Sequence, residues 1–132
     1  MNLIRELYNE DIKFVDNVSC NIKNINITDN KNLIGLKANL FEYQLIGFNW
    51  LSFMIQNNCG CILADEMGLG KTLQVITLMG SEFEKNKNVH FLLIAPLSLL
   101  ENWKREIAKF YPSLSTIIHH GSSRTGFYSD FE

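Results

Sequence analysis

The sequence lacks most of the features that would announce a specialised class. Its net charge is only −2, from 12 basic and 14 acidic residues among 132, so it has no basic excess of the kind a dedicated nucleic-acid module carries. The three cysteines, Cys20, Cys59 and Cys61, form no CxxC pair, which argues against a zinc site or a disulfide framework. They read as small, half-buried residues of a reducing compartment. No apolar run reaches the roughly 18 residues that a membrane helix needs. The stretch Met1 to Phe14 is broken by acidic residues and is not a signal peptide. The chain is therefore expected inside the cell and off the membrane. His119 and His120 have no cysteine or carboxylate at ligand spacing, so no metal centre is expected from them.

What the sequence does contain is periodicity. Residues 1–35 are rich in Asn, Ile and Lys, carry no chemical motif, and read as a leader or the tail of a preceding module. Within them Val18, Cys20 and Ile22 alternate, as weak strands do. From residue 36 to 132 the pattern sharpens into a second unit. In LFEYQLIGFNWLSFMIQNN, residues 40 to 58, Tyr43, Ile46, Trp50, Leu51 and Met54 fall on one helical face, and Asn57, Asn58 and Gly60 end the helix. CILA, from Cys61, predicts a short buried strand. KTLQVITLMGSEFE returns to helical spacing through Leu73, Ile76, Gly80 and Phe83. VHFLLIA predicts a second buried strand. SLLENWKREIAKF predicts a helix with the face Leu99, Trp103, Ile107 and Phe110, closed by Pro112, and STIIHH is a third strand candidate. Strands separated by helices of this length pair in parallel through right-handed crossovers, so the expected class is α/β. The chemistry should then gather after the strands, at Asp65, Pro96 and His119 onward.

The first of those places holds DEMGLGKT. Gly70, Lys71 and Thr72 fit the end of the phosphate-loop pattern G-x-x-x-x-G-K-[ST], while Asp65 stands where its first glycine belongs. The physical requirements are still met. Gly68 and Gly70 permit torsions and a close approach that side chains would block. Backbone amides of Met67, Gly68, Leu69, Gly70, Lys71 and Thr72 can then face phosphate oxygens at the start of a helix. Lys71 supplies a mobile point charge, and the Thr72 hydroxyl suits Mg²⁺.

At this point the sequence resembles a known family. ILADEMGLGKTLQ is similar to the first motif of the Swi/Snf-type DNA-translocating ATPases, a branch of helicase superfamily two. In that family an acidic pair, here Asp65 and Glu66, commonly occupies this part of the loop. LFEYQLIGFNWL is similar to the upstream glutamine motif, LLIAPLSLLENWKREIAKFYP to the next motif downstream, and HHG at 119–121 to the strand end that follows. The resemblance spans about residues 36–126. It implies a RecA-like phosphate-loop domain, incomplete here, with ATP and Mg²⁺ as cofactors and Lys71 as its catalytic lysine. The parent enzyme would translocate on duplex DNA and remodel protein–DNA complexes such as chromatin, in a nucleus or a bacterial cytoplasm.

The same resemblance implies that Gln44 bonds the adenine edge, for which an amide offers a donor and an acceptor together. Read without it, Gln44 is an exposed residue of an amphipathic helix. Phe41 and Glu42 stand where the family usually has Arg-Pro, and Phe41 offers an aromatic platform in exchange. Ser98 and Asn102 would lie along the DNA backbone. Ser98 with Glu101 also matches a capping box, and the two roles can coexist. Trp103 reads as core, and Lys104, Arg105 and Lys109, alternating with Glu101 and Glu106, read as a solvated surface. A histidine of the 119–120 pair, Gly121 and Arg124 would line the nucleic-acid face.

Phosphoryl transfer to water also needs a carboxylate to hold Mg²⁺ and position the water, and arginines to meet the developing charge. In the family the first comes from an Asp-Glu-x-His box, and the arginines come from a second lobe. The only Asp-Glu pair in this sequence is Asp65-Glu66. The sequence is therefore expected to be a fragment or truncation that binds nucleotide at most. The alternative is a non-catalytic nucleotide- or protein-binding module. A small phosphate-loop kinase is disfavoured, because such kinases have no glutamine motif upstream.

Overall fold

A computed structural model describes residues 33–121. Three helices account for the regular structure there: α1, Glu42–Gln56; α2, Lys71–Lys85; and α3, Leu97–Phe110. α2 is central and packs against both of the others. The expectations for residues 1–32 and 122–132, including the Val18–Ile22 strands, Cys20 and Arg124, lie outside the described residues.

The expected parallel sheet is not found: among the described residues there is no strand. CILA, VHFLLIA and STIIHH have no regular structure. Ile62, Leu92, Ile94 and Ile117 are 86%, 89%, 88% and 66% exposed, so these runs are not buried either. The physical reason is that alternation and β-branching only make a segment suitable for a sheet. A strand exists when its N–H and C=O groups enter a ladder, and the backbone bonds of the described loops go instead to turns and caps. The described part is helical, and the α/β expectation is corrected to that extent.

The apolar core lies along α2 from Ile76 to the end of the helix. Ile76, Ile107 and Tyr111 are buried there, with Leu36, Met79, Phe83, Trp103, Phe110 and Leu114 around them. Tyr111 is tied in by its hydroxyl, which donates to Glu84 Oε1 at 2.5 Å. The Gly35 amide donates to the same oxygen at 3.0 Å. Burial, then the hydrogen bond and the charge of Glu84, push the Tyr111 phenol above its ordinary range. Gly80 lets the ring approach the helix, because a Cβ there would lie 2.3 Å from it. The backbone of residues 33–37 is strapped across this end, with the Lys37 amide donating to the Phe110 carbonyl at 2.7 Å.

The helix boundaries follow local chemistry. α1 ends at Asn57, and Asn58 takes the left-handed conformation, φ 54°. The amides of Asn58 and Cys59 return to the carbonyls of Ile55 and Met54, both at 2.9 Å, a Schellman ending built on asparagine. α3 begins two residues earlier than the capping-box reading required. Its N-cap is Pro96, no side chain caps it, and Ser98 lies inside the first turn. The Pro96 carbonyl already accepts from Leu99 N at 2.8 Å, so Ser98 is past the place where a cap acts. Leu99, expected on the buried face of α3, is 45% exposed, whereas Ile107 is buried and Trp103 and Phe110 pack on the core as expected.

The face of α1 also differs from the expectation. Tyr43 and Ile46 are 45% and 54% exposed, while Gln44, Phe48, Asn49, Leu51 and Ser52 are buried. A reading by hydrophobicity turns the helix about one residue too far, because its buried side carries three polar residues. Cys59 is half-buried, but Cys61 is exposed; both are free thiols.

Candidate functional site

The glycine-rich loop leads into α2. Met67 and Gly68 form a turn, and both Gly68 and Gly70 have positive φ, 89° and 74°. L-residues avoid those torsions, so the loop needs glycine at these two places. Around Gly68 there is open space, and Met67 is 96% exposed. Gly70 is the N-cap of α2, and no side chain caps that end.

Lys71 is the first residue of the helix. Its ammonium folds back across the loop and donates to the carbonyls of Asp65 at 2.6 Å and Glu66 at 2.7 Å. The loop is thus curled around the lysine, whose bonds go to backbone dipoles. Thr72 follows it, half-buried in the first turn. Asp65 and Glu66 are exposed.

Gln44 reaches the same loop from α1. It is 5% exposed, which corrects the reading of an exposed helix glutamine. Its Nε2 donates to the Leu69 carbonyl at 3.2 Å, and its Oε1 accepts from the Phe41 amide at 3.0 Å. The side chain therefore closes the start of its own helix and holds the end of the loop. A Cβ on Gly70 would lie 2.4 Å from Gln44 Nε2, so this glycine serves close packing as well as torsion. Beside it the rings of Phe41 and Tyr43 stack, centroids 5.8 Å apart and planes 12° from parallel, and both rings are exposed.

Gln44 and Asp65 to Lys71 thus come together in space. Ser98 and Asn102 stand apart from them in sequence, on α3, where Ser98 is exposed and Asn102 half-buried. Asn102 Oδ1 accepts from Arg105 Nη2 at 2.8 Å. Arg105 is exposed, as the reading of a solvated face expects, and is bonded there to a candidate contact residue. Sequence reasoning also misses Gln74. It is fully buried on α2, with Nε2 3.4 Å from Asp65 Oδ2. The available signal was a glutamine one turn beyond Gly70, on the apolar side of an amphipathic helix.

A glycine loop opens α2, its first lysine is turned into that loop, and a glutamine from the preceding helix lies upon it. The family model described as the SNF2-related domain matches residues 43–131. Among curated proteins, Chromodomain-helicase-DNA-binding protein 6 of Homo sapiens is 51% identical over 83 residues, which is 63% of this chain and 3% of that protein. ATP-dependent helicase fft3 of Schizosaccharomyces pombe is 49% identical over 83 residues, 63% of this chain and 9% of that protein. Among solved structures, the Sulfolobus solfataricus SWI2/SNF2 ATPase core in complex with dsDNA matches with a TM-score of 0.63 and 44% identity. The match covers 67% of this chain and 19% of that one.

The class these matches define is the helicase-like ATPases of Swi/Snf type. The chain belongs to the SNF2-related domain family. It spans only a small part of the length of these relatives. Among the described residues no helix is long and apolar enough to cross a membrane.

Proposed function

We propose that this chain is the ATP-binding portion of a Swi/Snf-type DNA-dependent ATPase, whose whole protein translocates on duplex DNA and remodels protein–DNA complexes in the nucleus. The observation that carries the nucleotide reading is an electrostatic one. Lys71 sits at the positive end of α2, and the first turn holds no acidic residue. Helix dipoles favour the opposite charge at that end, so a cation there is unfavourable until an anion arrives. Two carbonyls hold the ammonium meanwhile, and phosphate oxygens are stronger, charge-assisted acceptors for it.

The residues fit the group. Open space beside Gly68, the uncapped amides at the start of α2 and the Lys71 ammonium together suit a polyphosphate. Thr72 is placed one residue into the helix, where its hydroxyl would hold Mg²⁺ together with the phosphates. When bound, the metal neutralises the charge that develops during phosphoryl transfer. Gln44, already joined to Leu69, would present its amide to the adenine edge, with Phe41 and Tyr43 as the aromatic surface nearby. Asp65, Glu66, Met67 and Leu69 supply the backbone of the cradle. Ser98 and Asn102, with Arg105 beside them, would touch DNA phosphates.

These 132 residues contain no Asp-Glu-x-His box, and this stretch by itself is expected to bind ATP and not to turn it over. Titration of the purified chain with ATP and Mg²⁺ tests this reading. Saturable binding that Lys71→Ala weakens roughly ten- to hundredfold, the scale of hydrogen bonds to a charged group, is the expected result. Equal affinity of the variant, or multiple-turnover hydrolysis by the chain, would overturn it. In the second case the account of the missing acidic box is wrong.

A further inference from the structure

Gln74 has no part in the reading above, yet its side chain is completely buried. Its Nε2 lies 3.4 Å from Asp65 Oδ2. An ionised carboxylate only accepts, so that contact decides which end of the amide faces the loop. Oε1 is thereby turned toward α1, buried and with no hydrogen-bond partner. It rests against Gly47, where a Cβ would lie 2.0 Å from it.

A buried acceptor left unmade is costly, and methionine would fill the same space without that cost. Packing alone therefore does not account for an amide at this position. The mirror contact is Gln44 of α1 over Gly70, the N-cap of α2. The two helices thus exchange a glutamine over a glycine, and the loop is fastened at Asp65 by one and at Leu69 by the other.

We infer that Gln74 is a positioning residue for the loop. It holds the Asp65 carboxylate, which keeps the Asp65 and Glu66 carbonyls where the Lys71 ammonium docks on them. Through Gly47 it also links that docking place to α1. The consequence, which rests on the nucleotide reading, is that the adenine side and the phosphate side are coupled. A shift of α1 at Gln44 passes by Gly47, Gln74 and Asp65 to Lys71.

The test reads Lys71 directly, without nucleotide. The whole chain is treated with an amine-acylating reagent, and the modification rate at Lys71 is followed by mass spectrometry, with thermal melting as the control for folding. Gln74→Glu sets a second carboxylate against Asp65, and Gly47→Ala pushes Oε1 from its seat. Each is expected to raise Lys71 acylation roughly three- to tenfold, the change in an equilibrium that one hydrogen bond makes. Adding Asp65→Asn to Gln74→Glu restores an amide–carboxylate pair with the roles reversed, and should return Lys71 toward its original protection. A merely structural role for Gln74 predicts lower melting without that rescue.

Unchanged Lys71 acylation in folded Gln74→Glu and Gly47→Ala overturns the inference. Should either variant fail to melt cooperatively, Gln74→Met replaces it: raised acylation supports the positioning role, and unchanged acylation overturns it. ATP affinity, measured in parallel, separates the two readings. A chain that binds no ATP but whose Lys71 responds as described keeps the positioning role and loses the nucleotide one. A chain that binds ATP with Lys71 unmoved does the reverse.

Discussion

The two ends of α2 are built on opposite principles. At its start, Gln44, Gln74, Asp65 and Lys71 meet over glycines, and the contacts are polar and partly unsatisfied. From Ile76 to Glu84 along it, Ile76, Ile107 and Tyr111 form an apolar cluster whose buried phenol is matched to Glu84. Apolar burial stabilises a small unit at about 25 cal/mol per Å² and asks little of geometry. Buried amides do not stabilise in that way, because an unsatisfied one carries its desolvation cost, and under the proposed function they belong to the nucleotide end. The helix that joins the ends lets one anchor what the other uses.

Substitutions can break this contrast, beginning with the core. Ile107→Ala should cost about 2–5 kcal/mol, the range for emptying a buried aliphatic site, and denaturant unfolding would record it. In a unit this small such a loss approaches the total stability, so ATP binding should disappear with the fold. Equal loss from an alanine at Lys71 would erase the distinction between the two ends.

Tyr111→Phe comes next. It removes the hydroxyl from Glu84 and leaves that carboxylate with the Gly35 amide, at a cost of roughly 1.5–3 kcal/mol for a bond to a charged group. It also sharpens the comparison through pH. The Tyr111 phenol titrates above its unfolded value, which is about 10. Its neutral form therefore contributes stability that is complete below about pH 10 and is lost as the pH climbs beyond it. Melting of the parent chain should fall over that alkaline range, and the phenylalanine variant should lack that component.

A smaller effect is expected on α3. Asn102→Ala frees Arg105 from its partner without touching the core. Stability should change by about 0.5 kcal/mol or less, as at most surface positions. Binding of the whole parent protein to duplex DNA should weaken modestly in a salt-dependent assay, and unchanged binding would remove Asn102 from the interface.

Much of this is legible in the residues, and the exceptions have physical causes. The three helices follow from apolar spacing, and the loop follows from glycines at torsions that only they accept easily together with the Lys-Thr pair. The face of α1 escapes a hydrophobic reading because its buried side carries Gln44, Asn49 and Ser52, which an apolar stripe cannot reveal. Gln74 escapes for the same reason: glutamine on a helix reads as solvent-facing unless its partners are known. The runs around Ile62, Leu92 and Ile117 have strand composition, yet pairing is a property of two segments and no single run contains it. Ser98 and Glu101 match a capping box by spacing, but Pro96 opens the helix first.

Hydrogen exchange across the chain, with and without ATP and Mg²⁺, addresses the division of labour between the two ends of α2. Slower exchange confined to the amides of residues 67–74 and the first turns of α1, with Trp103 to Tyr111 unaltered, is the predicted result. Exchange that slows equally at both ends of α2, or at neither, would contradict it.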